Sequence, residues 1–172
     1  GTTMTSVFRT FQGWTALSDM ASDQGVLHTV PIPEAMAYLM LRPLLSDVAE
    51  DDMCGTTVNK VFPAIEKWHP LLMEALNGIP DVTAGDSVWW HCDMIHSVAP
   101  VQNQRGWGNV MYIPAAPWCP RNERYAANVR DAFRTGESPG DFPAEHYERE
   151  WTNRFQPENL NVTGRRGLGL TN

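Results

Sequence analysis

Hydrophobic positions in the first two thirds of the chain fall in short alternating runs broken by turn residues, not in long helical stripes. "TSVFRTFQGWTAL" (5–17), rich in β-branched and aromatic residues, predicts a strand. After the turn-rich "SDMASDQG" (18–25), "VLHTVPIP" (26–33) predicts a second strand closed by prolines, and the two are expected to be neighbours. Pro33 ahead of "EAMAYLMLR" predicts a short helix that Pro43 stops. Pro70 argues against one continuous helix over 64–77 and leaves His69 in a loop. "GDSVWWHCDMIHSVAPV" (85–101) and "GNVMYIPAAP" (108–117) predict an antiparallel pair. The period then changes: Tyr125, Val129 and Phe133, and later Tyr147, Trp151 and Phe155, recur every four residues, predicting amphipathic helices with their aromatics in the core. "GRRGLGLTN" (164–172) reads as a Gly-rich tail; no strand precedes it, so it is no phosphate loop.

Charge narrows the partners. With 13 basic and 20 acidic residues, a net charge of −7, the chain has no broad basic face for phosphates or anionic lipid. A small-molecule substrate is expected, not nucleic acid or a membrane. Cys54, Cys92 and Cys119 form no even framework and no Cys-x-x-Cys pair, which suits free thiols in a reducing cytoplasm. No apolar run approaches the roughly 20 residues of a membrane span. At 172 residues, one globular domain is expected, with a helical extension over about 120–156.

The densest candidate chemistry lies in "WWHCDMIH" (89–96). Along a strand, His91 and Asp93 share a face, whereas His91 and His96 do not unless a bulge intervenes. On a helix the two histidines would lie about 140° apart. A local two-histidine clamp is therefore not expected, and a zinc site from His91, Asp93, His96 or Cys92 is disfavoured.

In order along the chain, "FRTFQGWTAL", "GDSVWWHCDMIHSV", "GNVMYIPAAPWCPRNERYA" and "GESPGDFP" resemble the Fe(II)/2-oxoglutarate-dependent oxygenases of the phytanoyl-CoA-hydroxylase-like branch. The resemblance is nearest to domain-of-unknown-function family 1479. It implies a mainly β fold with flanking helices, a double-stranded β-helix of the jelly-roll or cupin-like kind. It also implies Fe(II) and 2-oxoglutarate as cofactors and hydroxylation of a small molecule coupled to decarboxylation. His96 matches the distal histidine of a two-histidine, one-carboxylate triad, in which imidazole and carboxylate leave open positions on iron. Arg105 is the nearest match to the residue that grips the far carboxylate of 2-oxoglutarate, for which a planar fork is suited. Asn109 and Gln12 are further pocket candidates, and His91 and Asp93 are expected as supporting or alternative groups, a carboxylate fixing the tautomer of a nearby imidazole.

One departure stands out. The His-x-Asp or His-x-Glu motif that the resemblance requires upstream does not occur between Gly1 and Val88. For "HCD" (91–93) to be that motif His146 would have to be the distal ligand, and it falls in the predicted helix after Pro143, where a solvent-exposed role is expected instead. The chain is therefore expected to be the C-terminal part of a β-helix, incomplete on its N-terminal side. It should be inactive alone, with the strand around Phe11 offering an unpaired edge to a second copy or to an upstream segment. The rival expectation is a non-catalytic β-sandwich binding or assembly module that has lost its metal.

Overall fold

The computed structural model describes residues 7–56, 62–139 and 143–170. They form two compact units, residues 9–115 and a second comprising residues 116–170 together with the segment just before Arg9.

The first unit carries two three-stranded antiparallel sheets and short helices, a mixed α/β arrangement. Its elements are β1 (Phe11–Ala16), β2 (Leu27–Thr29), α1 (Glu34–Leu41), α2 (Pro70–Glu74), β3 (Asn77–Gly78), β4 (Ser87–His91), β5 (His96–Val98) and β6 (Val110–Ala115). One sheet has the order β4-β1-β6 and the other β3-β2-β5. Three sequence expectations change here. β1 and β2 are not neighbours but belong to different sheets. β6 does not pair with the 85–101 segment directly, because both flank β1. And β1, expected to show a bare edge, is paired on both sides, Gly13 facing Trp89 in β4 and Ile113 in β6.

The free edges fall on β4 and β6 instead. Thr15 and Leu17, opposite Met111 and Asn109, lie on the β1 register that bonds to β6, and Leu17 N–H donates to Asn109 O at 2.8 Å. Antiparallel bonding alternates along the strand, so Pro114 faces outward with its missing N–H, the position where a strand tolerates proline. Gly13 in the centre of β1 is required by close approach. A Cβ there would lie 2.6 Å from the Trp89 ring and 2.8 Å from Val88 O.

The main core draws on both sheets: Trp14, Ala16, Met20, Val26, Leu27, Val82 and Trp90. A second cluster joins Val30, Ala35 and Leu39 to Leu72 of α2. His69, expected in a loop, caps the start of α2 and is only 1% exposed, its Nδ1 3.5 Å from the Tyr38 hydroxyl. On the opposite face of the first sheet Phe11, Trp89 and Met111, which the register places on one face but on successive rows (Trp89 opposite Gly13, Met111 opposite Thr15), are all exposed.

The second unit is helical: α3 (Pro120–Thr135), α4 (His146–Glu150) and α5 (Val162–Gly167). Pro120 opens α3 and Gly136, left-handed at φ 76°, closes it by donating to Ala132 O. Tyr125, Val129 and Phe133 are half-buried as the spacing predicts. Tyr147, Trp151 and Phe155 do not form the expected core stripe. α4 ends at Glu150 and all three rings are exposed. Part of the expected tail is α5, capped by Asn161, whose side-chain oxygen accepts from Gly164 N–H at 2.9 Å. No described helix is long and apolar enough to cross a membrane.

Candidate functional site: the His96–Trp90 corner

The "WWHCDMIH" stretch is not one strand. β4 ends at His91, residues 92–95 turn, and β5 begins at His96 in the other sheet. Face alternation therefore cannot relate the two histidines, and the turn between them gives each its own partner.

His96 pairs with Thr29 of β2, and its Nδ1 lies 2.8 Å from the carbonyl of Met94. A carbonyl can only accept, so Nδ1 carries the proton and the Nε2 lone pair is left on an exposed ring. Metal-ligating histidines are commonly held in this way, the second nitrogen donating to a backbone carbonyl. The His96 ring leans on the ring of Trp90, centroids 5.3 Å apart. Trp90 is 7% exposed, and its indole N–H is buried with no acceptor among the described residues.

His91 has the opposite arrangement. The backbone N–H of Asp93 donates to His91 Nδ1 at 3.3 Å, so that nitrogen is already an acceptor. The Asp93 carboxylate is 3.8 Å away, beyond hydrogen-bond reach, and it is the main chain of Asp93 that orients the ring. His91 also meets Phe11 edge-on at 5.5 Å. Cys92 donates its thiol to Arg9 O at 3.5 Å, and burial pushes its pKa up, away from the thiolate a metal would need. Among the described residues no three His, Cys, Asp or Glu side chains gather as a metal-holding group.

Gln12 is the cross-strand partner of Trp90, and residues so paired lie on one face of the sheet. Arg105 and Asn109 lie elsewhere, on the loop ahead of β6 that is pinned to the 18–24 loop. Gln24 accepts from Arg105 N–H at 2.8 Å and donates to Asn103 O, and Asn109 N–H donates to Ser18 Oγ at 3.0 Å. Between these loops is a depression of about 170 Å³ lined by Asp19, Met20, Gln24, Arg105 and Trp107, among others. The Arg105 guanidinium there grips both carboxylate oxygens of Asp23, at 2.9 and 2.6 Å. That grip holds the Asp23 carboxyl below the usual carboxylate range. So Gln12 and His96 each adjoin Trp90, while Arg105 and Asn109 sit at a separate loop pair. Sequence reasoning missed Trp90 as a polar group and Asp23 as the partner of Arg105. Neither carries a sequence signal, since a buried indole reads as core and an acidic loop reads as solvated.

The E. coli K12 protein YbiU is 65% identical over 169 residues, 98% of this chain and 40% of that protein. A crystal structure of the E. coli protein JW0805 superposes with a TM-score of 0.86 at 65% identity, over 96% of this chain and 42% of that one. A Salmonella typhimurium LT2 protein, provisionally named an oxidoreductase, gives 0.87 at 66% identity, over 96% of this chain and 40% of its own. The Candida albicans protein GlcNAc Inducible Gene 2 (DUF1479) gives 0.75 at 30% identity, again over 96% of this chain and 41% of that one. The chain thus spans about two fifths of the length of these relatives. The match to the Gig2-like family runs over residues 1–170, and the chain belongs to that family.

Proposed function

We propose that the chain contributes one metal ligand to an Fe(II)/2-oxoglutarate-dependent oxygenase-like protein that hydroxylates a small molecule. The carrying observation is the polarity of His96, whose Nδ1–H is committed to Met94 O while Nε2 is free to ligate. His96 fits one position of a facial triad. The other two ligands would come from outside the described residues, in the part of the relatives' length that this chain does not span, which would also complete a jelly-roll. When bound, ferrous iron supplies the redox chemistry that couples hydroxylation to oxidative decarboxylation of 2-oxoglutarate. Arg105 would receive the distal carboxylate of that acid by exchanging Asp23 for it, one carboxylate for another on the same fork. The oxidoreductase name of the Salmonella relative supports the reaction class. The three free cysteines support a reducing, cytoplasmic setting.

A second reading, a binding or assembly module without chemistry, is favoured by one observation: Arg105, the anchor candidate of the loop pair, is already neutralised by Asp23. Anaerobic titration with Fe(II) separates the two. On the oxygenase reading His96→Ala weakens iron binding far more than His91→Ala. Equal losses, or a larger loss for His91→Ala, remove the assignment.

A further inference from the structure

The second unit holds a depression of about 340 Å³ along α3, lined by Arg121, Arg124, Tyr125, Ala127 and Asn128. Residues 121, 124, 125 and 128 follow the three- and four-residue spacing of one helix face. Both arginines and Asn128 are exposed and Tyr125 is half-buried, so the lining is open to a ligand from solvent. Elsewhere in this unit Arg130 and Arg149 meet the carboxylates of Asp131 and Glu137. Arg121 and Arg124 have no such partner among the described residues, and no acidic residue stands three or four positions from either of them along the helix. The two guanidinium groups therefore repel each other across one turn, a local cost that no described side chain offsets. A net charge of −7 excludes a broad basic face but not a local one: of 20 acidic residues in the chain, none of those described lines this depression.

We infer that this face of α3 binds the phosphate group of a small phosphate monoester, with Arg121 and Arg124 as its two charged partners. A guanidinium fork matches phosphate oxygens in pairs, and the nearly double charge of a phosphate monoester at neutral pH balances two arginines at once. Asn128, one turn beyond Arg124, offers a donor and an acceptor to the uncharged part of the ligand. The depression is larger than a bare phosphate and within the range of small-molecule sites, which leaves room for that part. No bond is made or broken there. The site uses neither His96 nor iron, so it stands or falls apart from the oxygenase reading.

The test titrates the 172-residue chain with glucose 6-phosphate, glucose and succinate by calorimetry at low salt and neutral pH. The variants are Arg121→Gln, Arg124→Gln and, as a control that removes the same charge from an exposed position at the other end of α3, Arg134→Gln. Glucose 6-phosphate should bind saturably and glucose should not. Arg121→Gln and Arg124→Gln should each weaken glucose 6-phosphate about tenfold or more, while Arg134→Gln leaves it unchanged. Without ligand, Arg121→Gln and Arg124→Gln should melt at or above the parent temperature, because each removes a repulsion; this separates a binding role from a folding one. In the parent, the side-chain amide resonance that Asn128→Ala removes should shift on adding glucose 6-phosphate. Three results overturn the inference: no saturable binding of glucose 6-phosphate, an equal loss in Arg134→Gln, which would mean attraction to charge alone, or succinate bound as tightly as the phosphate ester.

Discussion

Arg105 and Asp23, 82 residues apart in sequence, form a two-pronged ion pair that ties the loop before β6 to the loop after β1. Both side chains are more than half exposed, so the pair is screened and contributes little to stability, but it decides whether the guanidinium is available. Asp23→Asn should therefore leave the melting temperature nearly unchanged and tighten binding of 2-oxoglutarate to the full-length protein, while Arg105→Ala weakens it more than about tenfold. Isothermal calorimetry on both variants measures this. Identical affinities in parent, Asp23→Asn and Arg105→Ala would move the anchor to another residue.

His69 should make stability depend on pH. Burial, and secondarily the charge of Arg42, hold its pKa below the usual imidazole value of about 6.5. The unfolded chain then binds a proton that the folded chain resists, so the neutral ring's contribution is complete above about pH 6.5 and is lost as pH falls toward the folded value. Urea denaturation between pH 7.5 and 5.5 should show stability falling with acid, by no more than about 1.4 kcal/mol per pH unit from this one group. His69→Phe should flatten that slope; an unchanged slope would place the proton elsewhere.

Gly13→Ala tests the close approach of β1 and β4. The added methyl would meet both the Trp89 ring and the Val88 carbonyl at under 3 Å, and the carbonyl cannot step aside without breaking the ladder. The expected loss is about 1–3 kcal/mol, read as a lowered thermal midpoint. Trp89→Ala should relieve part of it in the double variant, because only the ring contact is then removed.

The exposed outer face of the first sheet should govern association. Phe11, Trp89 and Met111 lie exposed on one face of three strands, so the chain alone is expected to self-associate with rising concentration and to release no succinate from 2-oxoglutarate. Trp89→Lys with Met111→Lys should return a monomer by sedimentation. Adding the remaining portion of the E. coli relative as a second polypeptide should restore succinate release to the parent chain. A monomeric parent that releases succinate unaided would place all three metal ligands within these residues.

Local sequence determined much of the chain's punctuation. α1 ended just before Pro43, Pro70 opened α2 and so kept 64–77 from being one helix, Gly136 closed α3, and the alternation in 11–16 gave β1, because backbone dihedrals and missing donors act within a few residues. Pairing was not legible in the same way. Nothing in "WWHCDMIH" says that four residues of turn send His91 and His96 into different sheets, and nothing in "FQGWTA" says it will be the central strand, because hydrogen-bonded neighbours are chosen by the whole chain's burial and not by the strand itself. The aromatic stripe at Tyr147, Trp151 and Phe155 had helical spacing but ended in solvent, since spacing records what could pack and not whether a partner is present. The candidate site divides along the same line. The family resemblance in the sequence named His96 as a candidate ligand and Arg105 as a candidate anchor. Only tertiary structure set the free nitrogen of His96 through Met94, occupied Arg105 with Asp23, and left the Trp90 indole buried without an acceptor among the described residues, because a tautomer, an ion pair and an orphaned donor are each properties of neighbours brought together by folding.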